Sequence, residues 1–168
     1  MKRLLLALCV LAVVPLEPAH AVEIRACLGD DLAARANFQS ATGAQEGGVV
    51  MRNQTRHSCE LSGRAVVDFV PSGQSDPLPV VVAAGRATDG HLRDRTIVLA
   101  SGERAFVHTR WSNWCGGGLR VVAVRLWLQS VEPRVRVRGA ISTPGCDDSA
   151  RSSRVVVGPY ERFRRYRS

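Results

Sequence analysis

The sequence lacks several features that identify common classes of protein. It has a single lysine, Lys2, and only 5% aromatic residues, and it contains no apolar run long enough to span a membrane. No phosphate-binding loop, nucleophile elbow or metalloprotease helix motif occurs. The chain has 168 residues, and 45% of them are hydrophobic. This hydrophobic content excludes a disordered polyelectrolyte, and the length fits one domain.

The first 21 residues have the layout of a cleavable signal peptide. Lys2 and Arg3 give a positive start, an apolar run extends from Leu4 to Val14, and small residues lead up to Ala21. A spanning helix needs about 20 apolar residues, so this run is too short to remain as an anchor. We therefore predict cleavage after Ala21, a secreted or extracytoplasmic location, and no transmembrane segment in the mature chain.

Arginine supplies almost all of the positive charge. Export would remove Lys2, Arg3 and Glu17, which lowers the net charge from +8 to +7 and leaves no lysine. Guanidinium groups pair with carboxylate and phosphate through two parallel hydrogen bonds, which an ammonium group does not reproduce. The mature chain is therefore suited to anionic partners.

Four cysteines remain in the mature chain, and an even number in an oxidising compartment predicts two disulfides. They are Cys27, Cys59, Cys115 and Cys146. Four cysteines allow three pairings, and the sequence alone does not choose among them, although their order favours neighbours. A structural zinc site would need closely paired cysteines such as Cys-x-x-Cys, which do not occur. We expect no metal and no cofactor.

Apolar and polar residues alternate along the mature chain, and this period of two is typical of half-buried strands. The pattern is clearest at 32–39, 65–69 and 104–111, and further strands are predicted at 49–52, 80–84, 96–100, 119–129, 135–141 and 154–157. Turn sequences rich in glycine and proline separate them. We predict an all-β fold over residues 22–160, an immunoglobulin-like β-sandwich, with a small β-barrel as the alternative.

Two arginine clusters are the candidate anion-binding residues. Arg134, Arg136 and Arg138 alternate with two valines, so three guanidinium groups should stand about 7 Å apart on one strand face. Residues 161–168 form a basic tail that contains Arg162, Arg164, Arg165 and Arg167. Such clusters attract anionic polymers and lipid head groups. The alternatives are a solvated strand face and a terminus without a fixed conformation.

Two tryptophans lie close together before Cys115. Trp111 has the parity of the buried side of its strand, so we expect it in the core. Trp114 is the better candidate for an exposed aromatic contact with a sugar or another ring. Core packing against a disulfide is nevertheless the interpretation we favour for both indoles.

Catalysis has little support in the residue pattern. His57 and its neighbour Ser58 would point to opposite faces of a strand, and Asp147-Asp148 fits a loop cap better than a calcium site. We therefore expect the protein to have no enzymatic activity. The alternative is an unrecognised extracytoplasmic hydrolase, which would need His57 or His108 within hydrogen-bonding distance of a hydroxyl and a carboxylate.

The order and spacing of these features resemble the secreted bacterial domains known as domain of unknown function 4232. The likeness extends from about residue 27 to residue 157, and it rests on Cys27, the segment 49–55, Cys59 to Gly63, the turn 99–102, Arg110 to Cys115 and Cys146. The resemblance implies an immunoglobulin-like sandwich. It also implies one disulfide that ties the entrance of the first strand to the Cys59 strand and another that closes the Trp114 region on the late strands.

The family implies no activity, and this chain lacks the lipoprotein cysteine that many relatives carry. We expect a non-catalytic binding or structural module whose arginine-rich surface contacts an anionic envelope polymer, an anionic lipid surface or an acidic protein. Nucleic acid is not an expected partner, because exported arginine-rich proteins meet little of it.

Overall fold

The computed structural model describes residues 24–87, 89–91, 93–118, 120–128 and 131–163. The predicted signal peptide lies outside these ranges, as do Arg164, Arg165 and Arg167 of the predicted tail. In chain order the described strands are β1 Leu32–Ala41, β2 Ala44–Asn53, β3 Cys59–Leu61, β4 Val66–Pro71, β5 Val81–Ala84, β6 Ile97–Leu99, β7 Arg104–Ser112, β8 Val121–Leu128, β9 Val131–Val135, β10 Val137–Arg138, β11 Ala140–Ser142 and β12 Arg154–Arg162. A 3-10 turn, Gly29–Asp31, precedes β1. Among the described residues there is no helix with the length and hydrophobicity needed to cross a membrane.

The strands form three sheets. The large sheet has the order β10-β1-β2-β7-β12-β5, and its two edge strands, β10 and β5, pair in parallel with their neighbours. In the small sheet, β8 pairs with β4 on one side and with β9 and β11 on the other, while β3 and β6 form a separate pair. The sheets described do not close into a barrel, so the all-β sandwich prediction is confirmed.

The core lies between the large and small sheets, where the inward residues of each strand meet. Phe69 of β4 stacks on Trp111 of β7, with ring centroids 4.3 Å apart and planes inclined by 11°. Both side chains are fully buried, and burying a ring of this size stabilises the fold by about 1.5–3 kcal/mol. The predicted core position of Trp111 is therefore confirmed.

The two predicted disulfides are present, and they join neighbouring cysteines. Cys27 pairs with Cys59 and Cys115 pairs with Cys146, at sequence separations of 32 and 31 residues. The first ties the segment before β1 to β3, and the second ties the loop after β7 to the loop before β12. By the chain-entropy argument each bridge stabilises the fold by roughly 3–4 kcal/mol.

The strand prediction is wrong where the chain changes sheet or uses glycine in a strand. Residues 135–141 are not one strand, because β9 and β11 pair with β8 whereas β10 pairs with β1. β2 begins at Ala44 rather than at residue 49, where the predicted strand began, since Gly47 and Gly48 belong to the strand. A Cβ atom at Gly48 would lie 2.0 Å from the Val107 carbonyl oxygen, so only glycine fits. β12 also continues to Arg162, beyond the predicted strand 154–157.

Candidate functional site

The predicted arginine row is exposed, but it is divided between the two main sheets. Arg134, Arg136 and Arg138 are all exposed, and Val135 between them is buried, so the alternation is as predicted. Arg134 lies on β9 of the small sheet, whereas Arg138 lies on β10 of the large sheet and Arg136 lies in the break between them. The prediction of one continuous strand face is therefore wrong.

Arg138 lies beside other arginines on the outward face of the large sheet. Arg138 is the register partner of Arg35 on β1, and Arg52 of β2 is the partner of Arg104 on β7. The residues that alternate with them along each strand are buried or half-buried against the core, so all four face outward. We call Arg35, Arg52, Arg104 and Arg138 the arginine quartet.

Among the described residues, no guanidinium of the arginine quartet lies within 4.0 Å of a carboxylate oxygen. Five other arginines are ion-paired, namely Arg25, Arg64, Arg95, Arg151 and Arg162. Register partners on adjacent strands are only about 5 Å apart, and like charges placed opposite each other destabilise a sheet by roughly 0.2–1 kcal/mol per pair. A bound anion would remove this repulsion.

Three aromatic rings lie next to the arginine quartet on the same face of the large sheet. The Phe106 ring lies against the sheet at Gly48, where a Cβ atom would be 2.9 Å from two of its carbons. The rings of Phe163 and His108 are inclined to it by 62° and 64°, with centroids 6.4 and 6.3 Å away. We call Phe106, His108 and Phe163 the aromatic strip.

The aromatic strip extends from the arginine quartet towards a more polar end of the sheet. The Phe163 amide donates a hydrogen bond of 3.0 Å to the Arg104 carbonyl oxygen, which places Phe163 beside the quartet. His108 lies two residues beyond Phe106, and its Nε2 is 3.7 Å from Oε1 of Glu46. Phe163 is 36% exposed, so the strip presents apolar surface to solvent.

Arg162, the one arginine of the predicted tail that the structure describes, has partners inside the domain. Its Nη1 pairs with Oε2 of Glu103 at 2.9 Å, and its Nη2 donates to the Val98 carbonyl oxygen at 2.9 Å. These contacts hold the end of β12 to β6. Arg162 is therefore ion-paired within the domain, and its side chain remains 53% exposed.

Trp114 packs in the core. It is 8% exposed and meets Trp111 edge-on, with centroids 6.0 Å apart. Of the two alternatives predicted for this indole, core packing is the one found, and an exposed aromatic contact at Trp114 is not available. Strand alternation does not predict the position of Trp114, because Asn113 has a positive φ of 59°, which breaks the alternation after β7.

Trp127 is an outward-facing indole that is absent from the predictions. It is half-buried on β8, its Nε1 donates to Asp68 Oδ2 at 2.8 Å, and the Arg134 guanidinium lies 4.5 Å from its ring centroid. The signal was available in the sequence, because Trp127 alternates with residues that the period of two assigns to the core. Since Arg134 covers this ring, it is a less open surface than the aromatic strip.

Two buried asparagines organise the ends of the sandwich. Asn113 Nδ2 donates to the carbonyl oxygens of Asp148 and Arg151 at 2.8 and 2.7 Å, and its Oδ1 accepts from the amides of Asp147 and Asp148 at 3.0 and 2.9 Å. The asparagine thereby joins the loop after β7 to the loop before β12, beside the Cys115–Cys146 bridge. Apart from a polar residue between two tryptophans, no local pattern indicates this role.

Asn53 has the corresponding position near the other disulfide. The tripeptide 53–55 has the pattern of an N-glycosylation acceptor, but Asn53 is 0% exposed. Its Nδ2 donates to the carbonyl oxygens of His57 and Leu99, and its Oδ1 accepts from the amide and hydroxyl of Thr55. The folded domain therefore does not present this side chain for modification.

The residues considered for catalysis and calcium lie apart from one another. His57 is exposed in a loop, and His108 is near Glu46, so neither has both a hydroxyl and a carboxylate partner among the described residues. Asp148 Oδ1 accepts a hydrogen bond of 2.9 Å from the Ala150 amide, which is the loop-cap arrangement. In the ranges described, no three acidic, histidine or cysteine side chains are grouped as metal ligands would be.

The fold and its surface define a two-disulfide β-sandwich domain with an arginine-bearing outer face. The profile of the family described as Domain of unknown function (DUF4232) matches residues 27–160. The chain belongs to this family, which confirms the predicted resemblance. No curated protein and no solved structure matches the chain.

Proposed function

We propose that this protein is an exported, non-catalytic module that binds an anionic polymer of the cell envelope. The observation that carries the proposal is the arginine quartet, in which two like-charged register pairs share one open sheet face without a carboxylate partner in the described chain. Two disulfides support export, because such bridges persist in oxidising compartments. The secretory pattern of residues 1–21 supports it further.

A polymer suits this face better than a single small anion. The quartet lies on a sheet surface exposed to solvent, where one ion pair contributes only about 0–1 kcal/mol. A chain that carries many anionic groups can contact several guanidinium groups at once, and the second contact is then intramolecular. We therefore expect a ligand with repeated anionic groups to bind this face more tightly than a single small anion does.

The test is the binding of the purified oxidised protein to fluorescent polyacrylate, a soluble polycarboxylate, between about 0.02 and about 0.5 M salt. The double variant Arg35→Ser/Arg138→Ser removes one register pair. We expect its dissociation constant to rise about tenfold at low salt. Each lost charge contributes about 0.7 kcal/mol of binding free energy, so the two together contribute about 1.4 kcal/mol.

The matched control is Arg93→Ser/Arg120→Ser, which makes the same change in net charge at two exposed arginines outside the quartet. It should leave the dissociation constant within about threefold of the wild-type value. Equal weakening by both doubles would show a general charge effect and contradict a site at the quartet. Binding to phosphatidylglycerol vesicles without binding to polyacrylate would contradict a polymer ligand and indicate that the protein binds a lipid surface.

A further inference from the structure

We infer that the anionic polymer bound by this domain is built of sugar rings, with a ring packed on the aromatic strip and its acidic groups on the arginine quartet. This inference rests on the proposed function and adds the chemical class of the ligand. It is carried by the side chains that surround Phe106 on the outer face of the large sheet.

The register places three kinds of chemistry in sequence across this face. The quartet occupies one end, with Phe163 beside Arg104, and Phe106 is the next outward-facing residue along β7. Beyond them, Asn37 of β1 is the register partner of Gly48, and Gln39 is the partner of Glu46. Asn37 and Gln39 are exposed, the Glu46 side chain is 39% exposed, and Glu46 is also the register partner of the exposed Arg110 on β7.

Each of these three groups of side chains matches one part of an acidic sugar. The carbon-bound hydrogens on one face of a sugar ring pack on an aromatic ring through dispersion and burial of apolar surface. Neighbouring hydroxyl groups are donors and acceptors that match the amides of Asn37 and Gln39 and the carboxylate of Glu46. Carboxylate or phosphate groups on the chain would pair with the quartet.

The ring geometry supports a ligand that enters from the open side. The Phe106 ring has one side against Gly48, and Phe163 and His108 are inclined towards it from opposite directions along β7. A ligand would therefore approach Phe106 from the side of the ring opposite Gly48. Glu161, the register partner of Phe106 on β12, is 8% exposed and so offers little surface to a ligand.

The test compares two soluble polycarboxylates, polygalacturonate, which contains sugar rings, and polyacrylate, which does not. The variant Phe163→Ala/Asn37→Ala removes an exposed ring and an exposed amide. We expect its dissociation constant for polygalacturonate to rise about tenfold, while that for polyacrylate stays within about twofold. The control Val121→Ala/Gln74→Ala removes an exposed apolar group and an exposed amide elsewhere and should affect neither polymer.

The outcomes separate this inference from the proposed function. Equal weakening of both polymers by Phe163→Ala/Asn37→Ala, or of neither, would overturn the sugar assignment, provided that urea unfolding shows the variant to be as stable as the wild type. If Arg35→Ser/Arg138→Ser also leaves both polymers unaffected, the proposed function itself fails. Tighter binding of single-stranded DNA than of polygalacturonate at equal salt, with the same dependence on Phe163, would make the ligand a nucleic acid and overturn the inference.

Discussion

Substitution of Asn113 by alanine should remove four hydrogen bonds that join two loops at one end of the sandwich. Two are donated by Nδ2 to backbone carbonyl groups, and two are accepted by Oδ1 from backbone amides. Asn113 is 8% exposed, so the groups left behind are largely shielded from water. Its φ of 59° also lies in the left-handed region, which alanine adopts only with strain.

The expected loss can be worked out from these contacts. Each hydrogen bond contributes about 1 kcal/mol net, and the left-handed conformation adds about 1 kcal/mol for alanine. Partial relaxation of the loops would admit water to some of the freed groups. We therefore expect Asn113→Ala to lower the free energy of unfolding by about 3–5 kcal/mol. Asn113→Gly loses the same bonds without the backbone strain, so it should be about 1 kcal/mol less destabilising.

The assay is urea unfolding of the oxidised protein, followed by tryptophan fluorescence, because Trp111 and Trp114 lie next to this residue. Asn37→Ala, at an exposed position on β1, is the matched control and should change stability by less than about 0.5 kcal/mol. A free energy of unfolding for Asn113→Ala within about 0.5 kcal/mol of wild type would refute the assigned role of the asparagine.

Two further substitutions test local features of the fold. Arg25 donates hydrogen bonds of 2.7 and 2.9 Å to Asp31, and this holds the pKa of Asp31 below its usual 3.8. The resulting stability is present above about pH 4 and is lost as the pH falls through the folded-state pKa, so the deficit of Asp31→Asn in urea unfolding should shrink below about pH 4; a constant deficit would contradict this. Gly48→Ala should lower the free energy of unfolding by about 2 kcal/mol or more, because its Cβ would overlap the Val107 carbonyl oxygen. Gly145→Ala, where nothing lies within 4 Å of the added carbon, should be close to neutral in the same assay.

The period of two predicted the strands whose two faces have different environments. β1, β4, β7 and β8 each bury one face in the core, so their alternation is visible in the sequence. β3 has only three residues, Cys59–Leu61, which is too short for a pattern. Gly47 and Gly48 resemble a turn locally, and only their neighbours in the folded sheet reveal why glycine is needed in a strand.

The arginine quartet could not be predicted from local patterns. Arg35 and Arg138 become neighbours through a parallel pairing, and more than a hundred residues separate them in the chain. The alternation correctly predicted that Arg134, Arg136 and Arg138 would be exposed, but it carries no information about which sheet each one joins. Trp127, by contrast, could have been assigned to the surface from its parity alone.

The most direct test of the central claim is arginine footprinting with phenylglyoxal, in which mass spectrometry measures the modification rate of each arginine with and without polygalacturonate. Our account predicts that the polymer slows modification at Arg35, Arg52, Arg104 and Arg138 and leaves the exposed Arg93 and Arg120 unchanged. Uniform protection of all exposed arginines, or protection confined to positions outside the quartet, would contradict it.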